Sequence, residues 1–283
     1  MIARLFLAAA LVARGTLVFV ANVSGNWELF ALHAGHDAPE RLTDTALDER
    51  APSLSPDGKR VAYATSDGGL WVMTLADKAA ARLALPAGIY GYPAWLPDGS
   101  GIAYTAYEYG PRSEDADLYV YHFATATVAP LILQTGPQDF VAMSPDGQRI
   151  AYIASTATTV AGLGSHVTQQ LWVVSLRTGA ASPLFRGNWR DTRPAWSPDG
   201  KRLAISSDRS GNPEIWITDP EGRNSVQLTS GPGAKSSPAW SPEGAEIAYV
   251  SLVEGKSQLE IADVKTKRHR ALMRFEVRDP AWR

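Results

Sequence analysis

Few side chains in this 283-residue chain are both chemically able and regularly placed. Glu49, Tyr90, Gln138, Asp191, Lys235 and Val277 each stand three residues before a Pro, or before Val141 where Val replaces it. Two carboxylates, an ammonium, an amide and a phenol at one fixed offset could hold a ligand or partner through ionic contacts and hydrogen bonds. Asp48, Asp139, Trp189 and Glu276 are near neighbours. Tyr107 and Tyr109 add two rings able to stack on a sugar or a peptide, and His166 adds a titratable group.

Other chemistries find little footing. The chain has no cysteine, which removes disulfides, thiolate nucleophiles and Cys-held zinc. His33 and His36 share one turn, while His122 ends a strand, His166 lies in a long loop and His269 in another turn, so a His-rich metal centre is not expected. No Asp-rich loop has EF-hand spacing. No Gly-x-Ser-x-Gly elbow offers a hydrolase nucleophile. A net charge of −2 without a basic stretch gives nucleic acid no electrostatic foothold. Catalytic residues, a metal and a cofactor are therefore not expected.

What positions the candidate residues is a repeat. The turn phrase recurs as SPDG at 55–58, LPDG at 96–99, SPDG at 144–147, SPDG at 197–200 and SPEG at 241–244. Its glycines, 58, 99, 147, 200 and 244, are spaced by 41, 48, 53 and 44 residues. Each turn follows a Pro-Ala-Trp-like phrase and precedes two apolar runs, such as Leu203-Ala204-Ile205 and Ile215-Trp216-Ile217, then a Leu-centred run such as Gln227-Leu228. Four short strands per 40–45 residues is the arithmetic of a propeller blade. In the turn, Pro pre-sets φ, Ser and Asp satisfy backbone groups, and Gly takes the positive-φ place. The Trp before it is expected to fill the wedge between blades.

The chain ends complete the pattern. Residues 15–31 align without a gap on 201–217, an offset of 186, so the chain starts at the second strand of a blade. Residues 279–283, DPAWR, are a first strand with nothing after it. The expected fold is all-β: a six-bladed β-propeller over 15–283, its ring closed by 279–283 joining the N-terminal blade at 15–45. Closure removes open sheet edges.

The unit PAWSPDGKRLAISSDRSGNPEIWITD resembles the WD-like repeat of TolB, an envelope protein, and of related TolB-like propellers, over residues 15–283. The resemblance covers the propeller domain only and implies fold more firmly than function. It implies a non-enzymatic module that binds a protein or peptide at the cell envelope. The alternative is a carbohydrate-binding or lyase-like propeller that uses the channel mouth. A protein or peptide partner, or a small carbohydrate, follows as the expected ligand.

The first residues, MIARLFLAAALVAR, carry Arg4, an apolar run Leu5–Ala13 and small-residue cleavage points. Residues 1–14 are read as a signal peptide or N-terminal extension. The run is too short to span a bilayer, and the expected location is periplasmic or extracellular. In a four-strand meander the SPDG turns lie on one face, and the blade-to-blade loops ring the channel mouth on the other. That mouth is expected to hold Glu49, Tyr90, Gln138, Asp191 and Lys235. Two expanded loops on the same face are expected at 107–116 and 154–169.

Overall fold

The computed structural model describes residues 12, 14–23, 25–107, 116–132, 134, 136–160, 164–274 and 276–283. The described residues form strands and turns without a helix. They make six four-stranded antiparallel sheets. Blade one pairs Val277–Trp282 with Thr16–Val23, Asn26–His33 and Glu40–Arg41. Blades two to six begin at the innermost strands Glu49–Leu54, Ile89–Trp95, Gln138–Met143, Asp191–Trp196 and Ala234–Trp240.

The ring closes as the repeat requires. Leu17 pairs with Trp282 and Ala21 with Val277. The Thr16 amide donates to the Arg283 carbonyl at 2.6 Å, and the Arg283 amide returns the bond at 3.0 Å. Most of the expected export segment lies outside the described residues. Of the rest, Val12 is buried in the core shared by blades six and one, and the Arg14 carbonyl accepts the Trp282 indole N–H at 2.9 Å.

The SPDG turns behave as their chemistry dictates. The Ser55 hydroxyl donates to Asp57, and the Lys59 amide donates to the same carboxylate. Gly58 takes φ +68°. Ser144-Asp146 and Ser197-Asp199 repeat the arrangement. These bonds, led by the serine hydroxyl, hold the Asp57 and Asp146 carboxyls below their ordinary range.

The tryptophans wedge the blades. The indole N–H of Trp95 donates to Ser53 O, that of Trp196 to Ala142 O and that of Trp240 to Ala195 O, each on the preceding blade. A guanidinium covers each ring: Arg60 over Trp95 at 4.4 Å, Arg149 over Trp196 at 4.8 Å and Arg202 over Trp240 at 4.6 Å.

One expectation is corrected. Within the range 154–169, residues 154–160 and 164–169 are strand and not loop. They extend a hairpin in which Arg149–Val160 pairs with Gly164–Ser175 up to Val160 and Gly164. The run Thr156-Ala157-Thr158-Thr159-Val160 is rich in β-branched residues and continues the ladder instead of ending it.

Candidate functional site

Each innermost strand carries the same irregularity. In blade two Arg50 faces Ala64 and Ser53 faces Ala62, so Ala51 and Pro52 together oppose Tyr63. The same two-against-one count occurs at Tyr92-Pro93, Phe140-Val141, Arg193-Pro194, Ser237-Pro238 and Asp279-Pro280. This is a β-bulge, where a proline's missing N–H costs no ladder bond. The residue before each Pro or Val141 has positive φ although none is glycine: Ala51 (49°), Tyr92 (48°), Phe140 (57°), Arg193 (54°), Ser237 (54°) and Asp279 (50°). The bulge brings this ring of six to the wall of the central channel.

The ring is closed at its centre by charge. Arg193 of blade five donates to Asp279 Oδ1 of blade one at 2.6 Å. Its guanidinium lies 4.8 Å from the Tyr92 ring and 5.0 Å from the Phe140 ring, in blades three and four. The Ala51 amide of blade two donates to Asp279 Oδ2 at 3.1 Å. Five blades therefore meet in one cluster. Burial pushes the Tyr92 hydroxyl pKa up.

The two mouths differ. Towards the SPDG turns the channel opens into a cavity of about 800 Å³ walled by the prolines and by Trp95, Trp196, Trp240 and Trp282. Towards the blade-to-blade loops the residues two before each Pro or Val141 are Arg50, Gly91, Asp139, Thr192, Ser236 and Arg278, five residue types at six positions. Asp139 accepts from Thr105, Tyr107 and its neighbour's amide at Phe140. Burial holds the Asp139 carboxyl above its ordinary range despite these donors.

The ring expected from sequence, three residues before the Pro, is placed elsewhere. Glu49, Gln138, Asp191, Lys235 and Tyr90 are all buried. Glu49 accepts from Thr43 and Thr45. Asp191 pairs with Arg209 at 3.0 Å, and Arg209 is stacked among Phe185, Trp189 and Trp216. Lys235 donates to Pro232 O at 2.6 Å and lies 3.6 Å from Glu214. Gln138 donates to the Gln134 and Gly136 carbonyls. Glu49, Tyr90, Gln138 and Lys235 bond to the blade-to-blade connections, and the central channel is lined instead by the residues one before each Pro or Val141.

Tyr90 and Tyr107 come together. With Tyr104 and Tyr119 they line a cavity of about 380 Å³ in blade three. Tyr90 donates to Pro86 O at 2.6 Å and Tyr107 to Asp139 at 2.9 Å. Burial, then the Asp139 charge, drives the Tyr107 hydroxyl well above its ordinary pKa. Tyr109 lies outside the described residues. His166 stands in the extended hairpin with its backbone paired to Thr158. Among the described residues no group of three or more His, Asp or Glu is placed to hold a metal ion, and no helix is long and apolar enough to cross a membrane.

No family model matches the chain. The structure is similar to TolB from Acinetobacter baumannii, with a TM-score of 0.79 at 22% identity over 94% of this chain and 66% of that one. Its fold is the TolB-like six-bladed propeller. The sequence is also similar to a TolB homologue of Chlorobium luteolum, 27% identical over 206 residues, which is 72% of this chain and 34% of the relative. The chain thus matches about a third of that relative's length. An oligogalacturonate lyase in complex with manganese shares the fold at a TM-score of 0.63 and 17% identity, over 92% of this chain and 74% of that one.

Proposed function

We propose that the chain is a non-enzymatic binding module that takes a protein or peptide at the loop-side mouth of its channel, in the periplasm or outside the cell. The observation that carries this reading is the six-fold bulge. It presents a ring of unlike side chains on a rigid frame while the rest of each blade repeats. Positive φ at a non-glycine residue costs about 1–3 kcal/mol and persists only where the surroundings enforce it. Unlike residues on rigid strands suit an asymmetric polypeptide surface. The TolB resemblance supports a protein partner and an envelope location.

The tyrosine-lined cavity favours a second reading, a carbohydrate-binding propeller, since aromatic faces suit sugar rings. A pull-down from an envelope fraction separates the two. Wild-type bait recovers a specific protein, and Thr192→Arg with Ser236→Arg at the mouth abolishes recovery. Lys59→Glu on the turn face leaves it unchanged. Glycan binding without a protein partner contradicts the proposal, as does recovery that survives the mouth substitutions.

A further inference from the structure

We infer that Arg50 and Arg278 at the loop-side mouth form a carboxylate site that receives an acidic side chain or chain end of a polypeptide partner. The inference rests on the reading of that mouth as a polypeptide surface and gives its partner a chemistry.

Asp279 and Asp139 already have donors, while among the described residues neither Arg50 nor Arg278 has a carboxylate within ion-pair distance. Asp279 is taken by Arg193 and by the Ala51 amide. Asp139 is taken by Thr105, Tyr107 and the Phe140 amide. Arg50 and Arg278 are among the described arginines that enter no ion pair, whereas Arg193 and Arg209 each hold a buried carboxylate. Each keeps a buried Nε without a hydrogen-bond partner. Both side chains are only half-buried, and a carboxylate supplies acceptors in the geometry that the outer N–H groups of a guanidinium fork need.

The fold also gathers and braces them. Arg278 and Arg50 hold the same place before the Pro in adjacent blades one and two. Arg278 Nη2 donates to Glu49 O at 2.7 Å, and the guanidinium lies 4.1 Å over the Trp27 ring. Its plane is thereby fixed before any ligand arrives, which lowers the ordering cost of binding. Burial holds Arg278 below its ordinary pKa, although attraction from Asp279 and Asp48 exceeds repulsion from Arg50 and Arg193. A carboxylate brought beside the half-buried guanidinium favours its charged form.

The test titrates the full-length chain by calorimetry with a blocked tri-glutamate peptide, a blocked tri-glutamine peptide and inorganic phosphate. Tri-glutamate binds, tri-glutamine binds at least about tenfold more weakly, and affinity falls as salt screens the charges. Arg50→Gln lowers tri-glutamate affinity about tenfold, and Arg50→Lys lowers it less, because the charge stays and the fork is lost. Asp57→Asn on the opposite face changes nothing. Equal affinity for the two peptides overturns the carboxylate site while leaving a polypeptide surface at the mouth standing. Binding of phosphate with no binding of either peptide overturns the polypeptide partner. Full tri-glutamate affinity in a folded Arg50→Gln also overturns the inference. Should Arg50→Gln fail to fold, the Arg50→Lys titration and the salt dependence decide the matter.

Discussion

Glu49 and Lys235 occupy the same place in their blades, 186 residues apart. Around them the pattern is conserved in detail. Thr229 donates to Glu214 and accepts from the Ile215 amide. Thr43 accepts from the Leu29 amide in the same way, but donates to Glu49. Where blade five joins blade six, Glu214 meets Lys235 at 3.6 Å. Where blade one joins blade two, Glu28 meets Glu49, so two carboxyls share a joint built for opposite charges. Burial first, with Glu28 adding to it, holds the Glu49 carboxyl up at about 7. The fold therefore prefers the proton. That stabilisation is fully present below the unfolded carboxyl value of 4.5 and is lost as pH rises through about 7. Glu49→Gln is neutral throughout and can donate to Glu28. Thermal melts will show wild-type stability falling between about pH 5 and pH 8, and a flatter profile for Glu49→Gln with a higher midpoint at about pH 8. Parallel profiles for the two proteins contradict a raised Glu49 carboxyl.

At the scale of the strand, the bulge decides what the channel sees. Sequence spacing marks the position three before each Pro, because a regular strand puts alternate residues on one face. Two residues opposing one break that alternation at Ala51-Pro52 and its five counterparts. Glu49 and Asp191 therefore turn inward while Arg193 and Asp279 take the channel. The Pro itself was the available signal, since a proline inside a strand belongs at an edge or a bulge. Positive φ at Ala51 is a strain that glycine would not feel. Ala51→Gly will raise stability by about 1 kcal/mol and Ala51→Val will lower it by more than that, read from denaturant midpoints. A loss of stability on Ala51→Gly contradicts the strain.

At the scale of the molecule, the ring was legible in full. Five turn phrases, one offset of 186 and a lone terminal strand fix six blades and their closure, because each blade is a local unit that can bury its faces only against its neighbours. The Trp wedge was legible for the same reason. What the repeat could not show was contact across the channel. The Arg193–Asp279 pair joins residues 86 apart through blades that do not touch in sequence order. The hairpin at 149–175 was hidden because insertion length alone does not distinguish a loop from a longer ladder. The conserved frame and the variable mouth together make the claim that function lies on the loop side. Site-specific photo-crosslinking in cells tests it most directly. A crosslinker at Ser236 will yield an adduct with a defined protein partner, and one at Lys59 among the turns will not. Adducts formed at Lys59 and absent at Ser236 would place the partner on the opposite face and contradict the claim.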